Sequence, residues 1–332
     1  MPTIKDIAAK AKVSVATVSR VLNNDETMSA TQETRDKIFA IADELGYTKH
    51  KRNNQVTNRS LAIIQWFSEA EETDDLYYYS IRIGIERKAQ ELGYEIIRIF
   101  NNDPIDPIEK VDAVIAVGKY SSAQILHFSR LNPVIFFVDS DTLEQGFTCI
   151  TTDFSHAVVE VLDHFIHKGH RHIGMITGSE RTSDQTEELE DPRIQTFTYY
   201  LEQRGLFNAN YVYTGVFSTQ SGYELMKEAL EEHGDDLPDA FFIASDALAV
   251  GALRALQEAG KNVPEDVSII SFNDTAIAKQ VFPPLSSVSV FTEEMGARAV
   301  SEAHAYLEHA IPDVPYLIRL GTHLTLRKSS KN

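Results

Sequence analysis

Apolar side chains recur at Ile4, Ile7, Ala8 and Ala11, the spacing of one face of a short amphipathic helix. Val13 and Ser14 follow, and Ser14 suits the cap of a second helix running from Val15 to about Leu22, with Val18, Val21 and Leu22 inward. Ser29, with Glu33 nearby, opens a third helix through Ile38, Ile41, Ala42 and Leu45, stopped by Gly46. Three short helices with a tight turn between the first two describe a helix-turn-helix unit. Beyond Leu61 the period changes. Compact apolar runs at 61–66, 95–100, 113–117 and 134–138 read as buried strands, with helical stretches at 81–92 and 122–130 between them. Further runs at 173–177, 241–244 and 267–272 alternate with helices near 157–167, 197–204, 223–232 and 248–259. Such alternation predicts parallel sheet, with ligands bound at the carboxyl ends of the strands. About 270 residues exceed what one sheet usually takes, so the prediction is an α/β body of two lobes around a cleft, behind an all-α headpiece.

Charge divides the chain at the same place. Over all 332 residues, 31 Lys and Arg against 49 Asp and Glu give −18, which argues against a uniformly basic nucleic-acid binder. Residues 1–60, however, hold ten basic and seven acidic side chains, a net of +3, leaving 21 and 42, a net of −21, for residues 61–332. Between Leu45 and Ser68 there is no acidic residue, while Lys49, Lys51, Arg52 and Arg59 lie inside, so 49–60 reads as a basic polar linker. Cys149 is the only cysteine, which excludes an internal disulfide and a four-cysteine zinc site and fits a reducing compartment. The first residues lack the pattern of a secretion signal, and no apolar run approaches a membrane span, so a cytoplasmic protein is expected.

A helix that enters the major groove needs small or polar side chains at its N-terminal end and a basic residue able to reach a base edge or phosphate. Val15, Ala16, Thr17 and Arg20 meet that demand, although a small helical protein-interaction domain has the same pattern. The run Thr3-Ile4-Lys5-Asp6-Ile7-Ala8, then Val13-Ser14-Val15-Ala16-Thr17-Val18-Ser19-Arg20-Val21-Leu22-Asn23, with Gly46-Tyr47, strongly resembles the headpiece of the lactose/galactose repressor family. The resemblance implies base reading by Val15, Ala16 and Arg20 and phosphate contacts from Thr17, Ser19 and Asn23. It extends through Lys168-Gly169-His170-Arg171-His172-Ile173-Gly174, Ser245-Asp246-Ala247, Val263-Pro264-Glu265-Asp266-Val267 and Phe282-Pro283-Pro284-Leu285. Asp75-Leu76-Tyr77-Tyr78 stands where the family has a polar-aromatic turn before the first helix of the body.

The fold so implied is that of periplasmic sugar-binding proteins: a headpiece at 1–48, a hinge at 49–60, and a ligand-binding and dimerisation body at 61–332. The N-lobe would span about 61–153 plus 290–311, and the C-lobe about 154–289 plus 312–332. A sugar site pairs aromatic faces with polar groups that bond adjacent hydroxyls. Tyr77, Tyr78 and Phe217 are the aromatic candidates, Arg193 the clamping fork, and Asp139, Ser245 and Asn273 the polar groups after strands. Many sugar-responsive relatives carry Asp where this chain has Asn273, which can donate as well as accept.

Other constellations point elsewhere only weakly. His164, His167, His170 and His172 invite a metal reading, but the matching family segment is a helix end and loop, so no metal is expected. The acidic clusters Glu71, Glu72, Asp74, Asp75 and Glu187, Glu188, Glu190, Asp191 lack calcium-loop order and read as solvated loops. No phosphate-cradling, hydrolase or zinc-protease motif is present, which disfavours the competing idea of a sugar-kinase-like enzyme with a fused DNA-binding domain, and no cofactor is implied.

The reading is a homodimeric repressor of a near-palindromic operator, controlled by a small effector, with galactose or a galactoside suggested by the resemblance and the Val15-Ala16 pair. A phosphosugar or nucleoside effector is the alternative. In the linker the family's leucine wedge is missing; Val56 is a smaller candidate, and its Asn-rich, β-branched surroundings form helix poorly. An acidic body would repel DNA and confine contact to headpiece and linker. Neutralising part of the body's charge is therefore expected to raise salt-sensitive, non-specific DNA binding; unchanged binding in a filter or anisotropy assay would refute the repulsion.

Overall fold

Local capping sets the headpiece. In the computed structural model, which describes residues 3–22, 31–45, 47, 59–69, 76–311 and 313–331, helix α1 (Ile4–Ala11) opens on a capping box in which Thr3 N donates to Asp6 Oδ2 at 2.7 Å. Lys12, at φ 60°, closes it in the left-handed conformation. Helix α2 (Val15–Leu22) starts on Ser14, whose Oγ accepts from Thr17 N at 3.0 Å, as the sequence predicts. Ile7, Val18, Val21, Leu22 and, from α3 (Gln32–Glu44), Ile38 and Ala42 form one buried cluster. Ser29, Gly46, Asn23, Val56, the linker 49–58 and the cluster Glu71, Glu72, Asp74 and Asp75 lie outside the described residues.

The body forms a second unit, described by itself, with two six-stranded sheets. The first sheet contains β1 (Ser60–Gln65), β2 (Glu95–Ile99), β3 (Ala113–Val117), β4 (Ile135–Val138) and β5 (Cys149–Thr152), with α4 (Leu76–Glu91) and α5 (Ser122–Leu131) in its connections. The chain then crosses to the second lobe. There α6 (Phe154–His167), β6 (Ile173–Gly178), a hairpin of β7 (Glu180–Arg181) and β8 (Glu188–Leu189), α7 (Pro192–Glu202) and β9 (Val212–Gly215) follow one another. Next come α8 (Thr219–His233), β10 (Ala240–Ile243), α9 (Asp246–Glu258), β11 (Ser268–Asn273), α10 (Ala276–Gln280) and β12 (Ser286–Ser289). A return places α11 (Thr292–Leu307) and β13 (Leu317–Leu320) in the first lobe, and β14 (His323–Thr325) ends in the second. The sheet orders are β13-β5-β4-β3-β1-β2 and β14-β12-β11-β10-β6-β9. The β12–β14 pair is antiparallel, whereas β1–β3, β3–β4, β4–β5 and β5–β13 in the first sheet are parallel.

Several sequence expectations are corrected. Leu317–Leu320 pairs with Cys149–Thr152, so the last crossing falls at 321–322 rather than near 312; this half-exposed edge strand carries too little apolar signal to be read from composition. Residues 95–99 likewise lie at a sheet edge, with Glu95, Ile97 and Arg98 exposed, and are not a buried strand. Tyr77 and Tyr78 lie in the first turn of α4 rather than in a turn before it. Strand β12 escapes notice because its sequence is Ser-Ser-Val-Ser; Ser286 and Ser287 are nonetheless fully buried, their hydroxyls bonded to Ser330 Oγ at 2.7 Å and Asp246 Oδ1 at 2.9 Å.

Each lobe holds one helix pair at backbone contact. A Cβ on Gly251 of α9 would lie 1.9 Å from Thr219 O of α8, and one on Gly222 of α8 would lie 2.0 Å from Leu248 O of α9. In the first lobe, Gly84 of α4 and Gly296 of α11 face each other's backbones at 2.0 and 2.2 Å from Glu293 O and Ile81 O. Gly251→Ala is therefore expected to destabilise the body by about 1–3 kcal/mol, the usual penalty for overpacking. Chemical denaturation with an unchanged midpoint would refute the contact.

Candidate functional site

Helix α2 presents two kinds of surface. Val18, Val21 and Leu22 are buried, while Val15 is 45% exposed and Ala16 and Arg20 are also exposed. Ala16 and Arg20 stand four residues apart on one face, as do Val15 and Ser19. Thr17 is half-buried, and its Oγ1 lies 2.8 Å from Ser14 Oγ, so this hydroxyl helps close the cap and retains only part of its bonding capacity for a ligand. The amino end of α2, where the helix dipole is positive, suits an anion.

In the body, Tyr77, Tyr78, Asp139, Arg193, Phe217, Ser245 and Asn273 all line one cavity of about 380 Å³. They come from six separate segments: Asp139, Phe217 and Ser245 lie just beyond a strand's carboxyl end, Asn273 is the last residue of β11, and the two tyrosines and Arg193 stand in the first turns of helices. Asp139, held at φ 65°, follows β4 and is 4% exposed. Tyr77 and Tyr78 donate to its Oδ1 and Oδ2 at 2.9 and 2.8 Å, and Lys119 Nζ lies 2.9 Å from Oδ2 and also donates to the Asp139 carbonyl. Burial, reinforced by Asp139, pushes the Tyr77 phenol well above its ordinary pKa and keeps it a neutral donor.

Arg193 forms a second hub. Asp191 caps α7 through Arg193 N at 2.9 Å and accepts from Arg193 Nε at 2.7 Å, while Thr177 Oγ1 donates to its other oxygen. Arg193 Nη1 donates to Ala244 O at 2.7 Å. The guanidinium lies 4.8 Å from the Phe272 ring centroid, 5.3 Å from Phe154 and 5.5 Å from Phe217, so three aromatic faces and one carboxylate fix its plane. Phe217 is seated against Gly178, where any Cβ would come within 2.6 Å of its ring. Ser245 is a helix cap, its Oγ accepting from Leu248 N at 3.2 Å. Asn273, at φ 99° and half-buried, uses no side-chain hydrogen bond among the described residues, so its amide can serve a ligand with both donor and acceptor.

Sequence reasoning missed Lys119, Phe154, Glu180, Asp191 and Asp246 in the same wall. Asp246 accepts from Ser271, Ser287 and Thr275, tying α9 to β11, β12 and the start of α10. In the cluster at 187–191, Glu187, Glu188 and Glu190 are exposed to solvent as expected, but Glu188 belongs to β8, Glu187 Oε1 accepts from Ser122 N at 3.3 Å, and Asp191 is buried. His170 Nδ1 faces Asp239 at 3.0 Å, His164 meets the Lys331 carbonyl at 2.9 Å, and among the described residues no group of three His, Cys, Asp or Glu is arranged to hold a metal.

Among the described residues, the Glu180 side chain makes no hydrogen bond or ion pair. Burial raises its pKa from 4.5 to about 7, with Lys119 opposing and Asp139 assisting the rise. Between pH 4.5 and about 7 the unfolded chain has released this proton and the folded chain still holds it, so stability contributed here falls as pH rises through that window. Glu180→Gln is expected to raise the melting temperature relative to the parent at pH 8 and to lose most of that advantage at pH 5. An equal difference at both values would show that Glu180 is not the titrating group.

Residues 3–50 match the family model for bacterial regulatory proteins of the lacI family, and residues 162–330 match that of a periplasmic binding protein-like domain. The chain is 50% identical to the HTH-type transcriptional regulator GalR of Streptococcus thermophilus, with 100% of both chains covered. It is 38% identical to the regulator of the same name in Lacticaseibacillus casei, over 99% of this chain and 100% of the other. Its fold is similar to that of the transcriptional regulator CelR in complex with cellobiose, with a TM-score of 0.70 at 25% identity, covering 99% and 100% of the two chains. No helix among the described residues is long and apolar enough to cross a membrane. A helix-turn-helix unit ahead of a two-lobed ligand-binding body, together with this identity across the full length, makes the chain a galactose-repressor-like member of the lacI family of bacterial transcription regulators, not an enzyme.

Proposed function

We propose that the protein is a cytoplasmic homodimeric repressor whose headpieces bind operator DNA and whose interlobe cleft senses a neutral sugar, galactose or a galactoside. In this reading residues 1–48 read DNA, 49–60 form the hinge and the remainder senses ligand. Val15, Ala16 and Arg20 face bases; Thr17, Ser19 and Asn23 face phosphate; Val56 enters the minor groove. The observation that carries the effector half is the convergence of Tyr77, Tyr78, Asp139, Arg193, Phe217, Ser245 and Asn273 on one cavity.

The chemistry of that wall favours hydroxyls over phosphate. Among the described residues, Asp139, Glu180, Asp191 and Asp246 line it against Lys119 and Arg193, and both cations already face carboxylates. A phosphosugar would bring further negative charge into a wall with no cation in reserve. A sugar instead meets the Asn273 amide and, for its C–H face, Phe217. Binding across both lobes favours one lobe angle over others, and that difference in affinity is what biases the hinge and headpieces.

Fluorescence anisotropy on the protein's own promoter region, with and without galactose or lactose, tests both halves. Arg20→Ala is expected to weaken operator binding by about 1–3 kcal/mol while leaving sugar-induced thermal stabilisation intact. Arg193→Ala should retain operator binding and lose the sugar response. Absence of sequence-specific binding by the parent protein would overturn the DNA half, and a full sugar response in Arg193→Ala would overturn the cleft assignment.

A further inference from the structure

The hairpin of β7 and β8, between β6 and α7 of the second lobe, has a polar tip that is partly buried. Ser183 is buried, although Asp184 and Gln185 beside it are exposed. The first lobe meets this serine at three atoms. Ser183 N donates to Lys119 O at 3.0 Å, Gln124 Nε2 donates to Ser183 Oγ at 2.7 Å, and Asn101 Nδ2 donates to Ser183 O at 3.4 Å. Alongside, Ser121 Oγ donates to Asp184 Oδ2 at 2.5 Å, and Ser122 N, at the amino end of α5, donates to Glu187 Oε1 at 3.3 Å. These five hydrogen bonds join the two lobes at one place.

The tip holds its shape through its own bonds. Thr182 N donates to Glu187 O at 3.0 Å, and Gln185, at φ 62°, donates from N to Thr182 O at 2.7 Å. Asp184 Oδ1 accepts from Thr182 Oγ1 at 2.7 Å and from Thr186 Oγ1 at 2.8 Å. A loop already fixed in this way loses little further freedom on docking, so the bonds across the lobes keep more of their worth.

None of Asn101, Ser121, Gln124, Ser183 and Asp184 lines the effector cavity, yet both sides of the contact lead to it. Lys119, whose carbonyl takes the Ser183 amide, sends its ammonium to Asp139. Glu180, at the base of the hairpin, lines the same wall.

We propose that the hairpin is an interlobe latch, which holds the cleft closed without ligand and thereby sets how tightly an effector binds. Resting on the reading of that cavity as the sugar site, the direction of the effect follows. A ligand that bridges Tyr77 and Asp139 of the first lobe to Arg193 and Phe217 of the second favours the lobe arrangement that the latch also favours. Latch and ligand act on one equilibrium with the same sign, and apparent affinity scales with the fraction of molecules already latched. The effector concentration to which the repressor responds is therefore set in part by side chains that never touch the effector.

Gln124→Glu and Ser183→Ala test the latch in the full-length protein. The first keeps the side-chain oxygen that accepts from Ser121 N in the cap of α5, but replaces the amide that donates to Ser183 with a carboxylate. Calorimetry with galactose and lactose is expected to show binding weakened by about tenfold in each variant, as for a shift away from the competent lobe arrangement. Hydrogen exchange in sugar-free protein should find the Ser183 amide protected in the parent, faster by about tenfold in the variants, and protected again at saturating sugar. A freely exchanging Ser183 amide in the sugar-free parent would overturn the latch. So would variants that release the hairpin yet bind sugar as tightly as the parent or more tightly. A parent that protects this amide but binds neither sugar would instead overturn the sugar reading of the cavity, while supporting closure by the hairpin alone.

Discussion

A charge removed from water must be paired, and the cleft of this protein is organised around that requirement. Asp139 is held by two phenols and Lys119; Asp191 is held by Arg193, Thr177 and a helix start. Burial alone would lower the pKa of Lys119, but Asp139 and Glu180 outweigh it and keep the amine cationic. Removing any one partner leaves a buried charge alone, which is far more damaging than the pair is stabilising. The same pairing aims the side chains: Arg193 cannot leave its aromatic enclosure without abandoning Asp191 and the Ala244 carbonyl. Ligand chemistry therefore follows from which donors and acceptors remain after the protein has satisfied itself.

Outside the cleft the lobes are bound internally. The glycine-mediated helix contacts leave no slack between α8 and α9 or between α4 and α11. Asp246, through Ser271, Ser287 and Thr275, joins three further elements of the second lobe in one buried network. Such units move as bodies, and a ligand that touches both can act on the angle between them more readily than on either interior.

The headpiece was legible because its signals are local. Ser14 caps, Val18, Val21 and Leu22 repeat on one face, and their burial follows from the spacing. Strands with apolar interiors, such as Ala113–Val117, were equally plain. Strand β12 was not, since its buried serines depend on acceptors more than forty residues away. The two edge strands at 95–99 and 317–320 carry little burial to betray them. The seven cleft residues were found by resemblance and by position after strands; Lys119, following β3 and Gly118, obeys the same positional logic and was overlooked. The cluster Glu187, Glu188, Glu190 and Asp191 reads as a solvated loop because a short hairpin of acidic and polar residues resembles one until its partners on α5 are seen.

Three crossings link the lobes, and they are short: residue 153 between β5 and α6, residues 290–291 between β12 and α11, and residues 321–322 between β13 and β14. Two rigid bodies joined by three such brief tethers have little freedom to slide, twist and open independently. Their relative motion reduces to something close to a single coordinate. Effectors of different shape would then differ in how far they drive that coordinate rather than in which direction. The sensor acts as a dial with one axis, and chemical identity in the cleft is converted into a single scalar before it leaves the body.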